Sequence, residues 1–208
     1  MDVFEAMGTC RAMRHLTPDP VPEELIDQVM WAATRAPSPG NSQGWDFVVV
    51  TDQARRAAIG AAVREAMGDR VSRMTHHDRT SRLMLEGTQN LIDTLGTAPV
   101  IILVCGPVIY PYDAPREQFT WSALYPAAQN ILLAARALGL GTVFTSLYRA
   151  AEPAIRAELG IPEHIKIAAL IPMGWPARDF GPVNRQPVER FVHRDGWEGE
   201  KRHHGPPL

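Results

Sequence analysis

A chain of 208 residues, 45% of them hydrophobic, is long enough for one sizeable core, and a single domain over residues 1–200 is expected. Its formal net charge of -2 supplies no basic field for nucleic acid or an anionic membrane surface, which argues against both as partners. Cys10 and Cys105 stand far apart and form no ligand-spaced cluster, so neither a disulfide framework nor a metal site is expected.

Residues 2–9 read as a short helix. Residues 22–35 read as a firmer one, with Pro22 at its start, Glu23 and Glu24 in its first turn, and Leu25, Val29 and Ala33 along one face. After the polar loop 36–45, residues 46–51 form a strand pattern and residues 53–67 a helix. The polar stretch 68–82, with His76 and His77, reads as a lid or linker, and residues 81–95 return to helix. Residues 99–105 are a continuous apolar run, suited to a strand covered on both faces. Pro107, Pro111 and Pro115 make 106–117 a loop. The longest helix is expected over 119–138, followed by a strand at 142–145, a helix at 151–159 closed by Gly160, and a strand at 165–173. Beyond Trp175, prolines alternate with charges. Residues 188–192 read as one more strand with no sheet of its own to complete, and 201–208 as a disordered tail. Helices mixed with scattered strands favour an α+β architecture over a doubly wound sheet.

The N-terminal Met1-Asp2-Val3-Phe4-Glu5 is acidic and lacks an apolar signal core, and the run 100–105 is too short to span a bilayer. A soluble, cytoplasmic protein is expected.

Three segments carry the chemistry. Ala36-Pro37-Ser38-Pro39-Gly40-Asn41-Ser42-Gln43-Gly44-Trp45 joins a helix to a strand; its glycines permit close backbone approach, and Ser38, Asn41, Ser42 and Gln43 offer partners to the heteroatoms of a planar ligand. Upstream lies Cys10-Arg11-Ala12-Met13-Arg14, and downstream Gly139-Leu140-Gly141-Thr142-Val143-Phe144-Thr145-Ser146. The glycines Gly139 and Gly141 follow a helix and open a strand, the reverse of a dinucleotide-binding turn. His76/His77 and His203/His204 are adjacent pairs that point apart rather than chelate one ion. Trp121 and Tyr125, at i and i+4, share a helix face with Gln118 nearby; they suit a substrate pocket, core packing or a subunit contact.

Together the three segments resemble the FMN-dependent nitroreductase family. Its N-terminal pattern of Arg-Arg-Ser-x-Arg is matched here at Arg11 and Arg14, whereas Cys10 and Ala12 replace an arginine and a serine. Its Ala-Pro-Ser-x-x-Asn-x-Gln-Pro-Trp loop is matched from Ala36 to Trp45, with Gly44 in place of the proline. The resemblance implies an α+β nitroreductase-like fold: a central mixed or antiparallel sheet flanked by helices, and a C-terminal arm exchanged in a homodimer. It also implies FMN at the subunit interface and NADH or NADPH as hydride donor. A small electron-poor acceptor, such as a nitroaromatic or quinone, is then reduced in ping-pong fashion.

By the same resemblance, Arg11 faces the phosphate and ribityl end with Ala12 beside it, and Arg14 faces N1/O2 of the ring. Pro37, Ser38, Pro39, Asn41 and Gln43 form the flavin loop, Thr145 and Ser146 supply a donor to N5, and Arg185 replaces the missing charge. No side chain need act as acid or base. Two alternatives remain open: a flavin- or ligand-binding module without turnover, and a specialised superfamily member that cleaves flavin or dehalogenates reductively. No lysine precedes Lys166, which argues against the lysine-bearing clamp of an iodotyrosine-type dehalogenase.

Overall fold

The structure, a computed structural model, describes residues 1–75 and 78–197. The two histidine pairs discussed above and the 201–208 tail lie outside the described residues.

Among the described residues six α-helices and four strands follow one another as α1 (Val3–Thr9), α2 (Glu23–Ala33), β1 (Asp46–Val50), α3 (Gln53–Met67), α4 (Arg79–Thr94), β2 (Val100–Gly106), α5 (Glu117–Ala137), β3 (Gly141–Thr142), α6 (Glu152–Leu159) and β4 (Lys166–Gly174). The strands form one sheet in the order β1-β2-β4-β3, every neighbouring pair antiparallel, so the architecture is α+β as expected. Among the described residues no helix is long and apolar enough to cross a membrane.

The alternation of β2 divides the core into two layers. Val100, Ile102 and Val104 face Val29 of α2 and Leu124, Ala128 and Ile131 of α5. Ile101, Leu103 and Cys105 face Ile59 and Val63 of α3 and Ile155 of α6. Every residue of β2 is buried, which is why its sequence is a continuous apolar run. Where β4 pairs with Val104 and Cys105 the register shifts past Ala168, a bulge that turns both Ala168 and Ala169 toward α2 and α5.

Local chemistry sets most of the boundaries. The Asp52 carboxylate accepts the Arg55 N–H at 2.9 Å and starts α3, and Asp78 and Ser81 form a capping box that starts α4 two residues before the expected position. Gly160 closes α6 in the left-handed conformation (φ 65).

Three expectations need correction. Regular strand after α5 covers only Gly141–Thr142; Thr145 rejoins β4 through an isolated bridge to Leu170, and the break between them turns Phe144 outward at 42% exposure. Residues 188–192 are no strand: Val188–Arg190 is a 3₁₀ turn after Pro187, since among the described residues no strand lies beside it to complete a ladder. The long helix begins at Glu117 and carries Pro126 in its interior, tolerated because tertiary packing of its alanine-rich face outweighs one lost hydrogen bond.

Candidate functional site

The segment after α1 has no regular structure of its own and is held as an extra strand-like piece. The Met13 N–H donates to the Thr142 carbonyl at 2.8 Å, and the Thr17 N–H to that of Trp175 at 2.9 Å. In return, the Ala177 N–H donates to the His15 carbonyl at 3.0 Å, and further along the Val183 N–H donates to that of Gly8 at 2.9 Å. Met13 is thereby buried against Gly141, where an added Cβ would stand only 2.7 Å from the Met13 side chain. Extended backbone alternates sides, so a buried Met13 sends Ala12 and Arg14 the other way.

The last turn of α5 locks this arrangement. Arg136 donates from Nε to the Thr9 hydroxyl at 2.9 Å and lays its guanidinium 4.0 Å over the Phe180 ring. One cation thus ties the end of α1 to the returning C-terminal segment.

The result is a cavity of about 700 Å³ lined by Arg11, Ala12, Arg14 and Arg185, with Thr142 and Phe144 on its β3 side. A neighbouring recess of about 270 Å³ shares Arg11 and Arg14 and adds His15, Arg178 and Glu86. Four arginines therefore converge, and among the described residues none of them has a carboxylate within ion-pair distance. The electrostatics reflect this. Burial, and then the charge of Arg11, pull the Arg14 guanidinium below its ordinary pKa; burial, Arg178 and Arg14 do the same to His15. Like charges held together without counter-ions favour an anion arriving from outside.

Arg14 is also mechanically supported. Its carbonyl accepts from the Asn90 amide at 2.8 Å, and its side chain crosses α4 at Gly87, where a Cβ would lie 3.2 Å from Arg14 Cδ. A helix-interior glycine, ordinarily unfavourable by about 1 kcal/mol, makes room for the arginine stem here. Burial raises the pKa of the half-buried Cys10 thiol at the cavity wall, and the Arg136 charge opposes that shift.

The loop 36–45 folds as the composition suggests. Pro39–Asn41 forms a 3₁₀ turn, Gly40, Asn41 and Gln43 take left-handed conformations (φ 58, 49 and 48), and the Ser38 hydroxyl accepts the Gln43 N–H at 3.0 Å. Gly40 lies so close to the Tyr110 ring that no Cβ fits between them. Pro37, Asn41 and Gln43 are exposed, while Ser38 and Pro39 are partly buried. None of the five lines the arginine cavity. One protomer therefore brings together Arg11, Ala12, Arg14 and Arg185, and holds the loop residues apart from them.

Of the two N5 donors suggested by resemblance, Thr145 has its amide committed to the Leu170 carbonyl at 3.1 Å, and its hydroxyl accepts from Leu147 N–H at 3.0 Å. Ser146 is exposed, and among the described residues neither its N–H nor its hydroxyl has a partner. The sequence reading missed Arg178 and Arg136. The signal for Arg178 was its place four residues after Gly174, next to Ala177, which pairs with His15 in a way that no local pattern reveals; Arg136 left none beyond a basic residue in the last turn of a helix.

Known proteins resemble this chain in sequence and in fold. The profile described as "Nitroreductase family" matches residues 9–175. A Methanothermobacter thermautotrophicus protein with the provisional name NADH dehydrogenase/NAD(P)H nitroreductase is 32% identical over 95% of this chain and 88% of its own. Iodotyrosine deiodinase 1 of Rattus norvegicus is 31% identical over 85% of this chain and 63% of its own. A Desulfovibrio desulfuricans nitroreductase-type protein solved in complex with FMN superposes with a TM-score of 0.68 at 26% identity, covering 95% of this chain and 98% of that one. The chain belongs to the nitroreductase family.

Proposed function

We propose that this protein is an FMN-dependent oxidoreductase that uses NADH or NADPH to reduce small electron-poor acceptors, nitroaromatics and quinones among them. The observation that carries this is the convergence of Arg11, Arg14 and Arg185 on one cavity, with Arg178 in the adjoining recess and, among the described residues, no ion pair to any of the four, in a member of the nitroreductase family. The residues present fit FMN: Arg11 and Arg185 offer bidentate donors to its phosphate, and Arg14 offers positive charge to the pyrimidine edge of the ring. Bound FMN supplies the electron-transfer chemistry. The chain binds it, orients it and balances its charge. Ser146, with its amide and hydroxyl unengaged, is the better placed of the two residues to donate to N5.

The loop residues Pro37, Ser38, Pro39, Asn41 and Gln43 reach the same ligand from a second copy of the chain. The exposure of Pro37, Asn41 and Gln43, and the absence of all five from the lining of the arginine cavity, support a homodimer whose sites are built from both subunits. The exposed Val188, Phe191 and Val192 beyond the last strand suit an arm laid on the partner.

Visible spectroscopy tests the assignment. Purified protein is expected to show the paired bands of oxidised flavin and to bleach anaerobically with NADH or NADPH. Protein that stays yellow with both nicotinamides is a flavin-binding module without turnover, and protein that remains colourless with added FMN is not a flavoprotein. The deiodinase relative supports reductive dehalogenation as a second reading, and iodide release from 3-iodotyrosine by the reduced protein separates the two.

A further inference from the structure

Three aromatic rings form a row that leaves the arginine cavity. Phe144 lines that cavity, and its ring centroid lies 6.1 Å from that of Tyr125. Tyr125 in turn stacks on Trp121, with centroids 5.9 Å apart and planes 19° from parallel. Trp121 lines a second depression of about 930 Å³, between the start of α5, β4 and α6. The rings are not fully buried: Tyr125 is 43% and Phe144 42% exposed. Two nearly parallel rings one helical turn apart on α5, Trp121 partly buried and Tyr125 exposed, leave an outer ring face on which flat molecules stack.

Charge at the far end of the row is specific. Lys166 is paired with Glu117 at 3.0 Å and Arg156 with Glu152 at 2.7 Å. Arg149 lines the same depression and, among the described residues, is in no ion pair, although the Glu152 carboxylate is near enough to act on its charge; its Nε donates to the Tyr148 hydroxyl at 3.4 Å. Tyr148 is itself fixed, being buried with its hydroxyl donating to the Ile167 carbonyl at 2.5 Å. Glu163 also lines the depression and, among the described residues, is in no ion pair, so Arg149 is the lining cation left to receive a negatively charged tail.

Resting on the flavin reading above, we infer that the acceptor site extends along Phe144, Tyr125 and Trp121, and that this protein is selective for elongated, multi-ring acceptors bearing an anionic group at the distal end, held by Arg149. A small one-ring acceptor uses only the Phe144 end. For a quinone the overall reaction balances as NAD(P)H plus one proton plus quinone giving NAD(P)⁺ plus hydroquinone, both electrons coming from the nicotinamide.

Steady-state kinetics with three probes test this in the full-length holoprotein: 2-(4-carboxyanilino)-1,4-naphthoquinone, its methyl ester, and 1,4-benzoquinone. Trp121→Ala and the more exposed Tyr125→Ala are each expected to lower kcat/KM about tenfold for both long quinones while leaving benzoquinone within about twofold, the scale of one lost stacking contact. Arg149→Met is expected to affect the carboxylate and spare its methyl ester. Calorimetric titration of the carboxylate probe reads the same contacts without turnover: a Kd about tenfold weaker in the Trp121 and Tyr125 variants supports the extended site, and an unchanged Kd overturns it. Unchanged ratios of long to short acceptor in all three variants also overturn it. So does a fall to half the sedimenting mass with those ratios intact, which makes the ring row a face for a second copy. Protein without flavin that still binds the probe through Trp121 contradicts the flavin assignment alone.

Discussion

Arg14 shows how one residue is fixed from several sides. Its carbonyl is held by Asn90, its stem crosses α4 over Gly87, and its guanidinium feels the Arg11 charge while making, among the described residues, no ion pair. A charge-assisted hydrogen bond contributes about 1.5–3 kcal/mol, so Arg14→Ala is predicted to weaken FMN binding roughly 10- to 100-fold. Arg14→Lys, which restores the charge without the planar fork, should recover only part of that loss. Titration of the apoprotein with FMN, followed by quenching of flavin fluorescence, measures both; unchanged affinity in the alanine variant places Arg14 outside the site. Arg11, Arg14 and Arg185 were legible because each sits in a linear pattern with a chemical meaning. Arg178 was not, because its position is set by the backbone pair between Ala177 and His15, far apart in sequence.

Among the elements, α3 packs most tightly against the 3₁₀ turn Leu95–Thr97. Gly60 faces Gly96 so closely that an added Cβ would lie 2.5 Å from the Gly96 backbone nitrogen. Backbone cannot yield as a flexible side chain does. Gly60→Ala is therefore predicted to destabilise the protein by about 1–3 kcal/mol despite the better helix propensity of alanine, read as a lower urea midpoint at unchanged slope. An unchanged or raised midpoint would show that α3 shifts freely. Helices such as α3 and α6 were legible because apolar periodicity, an aspartate cap or a closing glycine marked them. Strand β3 was overextended because β-branched and aromatic residues at 142–145 fit a strand by propensity, while pairing with β4 stops after two residues. The segment at 188–192 misled for the converse reason: it has the composition of a strand, and no described strand lies beside it.

The whole molecule presents two separate surfaces that carry the sequence motifs. One collects guanidinium groups from both ends of the chain, residues 11 and 14 near the start and 178 and 185 near the finish; the other presents the amide- and hydroxyl-bearing loop 36–45, braced on Tyr110. The sequence revealed both sets because each has its own motif. That they lie apart in a single protomer is a property of the fold and could not be read from the motifs. The most direct test is to co-express, with different affinity tags, a chain carrying Arg14→Ala and a chain carrying Ser38→Ala and Asn41→Ala, and to measure FMN per chain in the doubly tagged species. Sites shared between subunits predict one intact site in each mixed dimer, or about half an FMN per chain, where neither variant alone retains flavin. A mixed species with no more flavin than its parents would contradict the shared site.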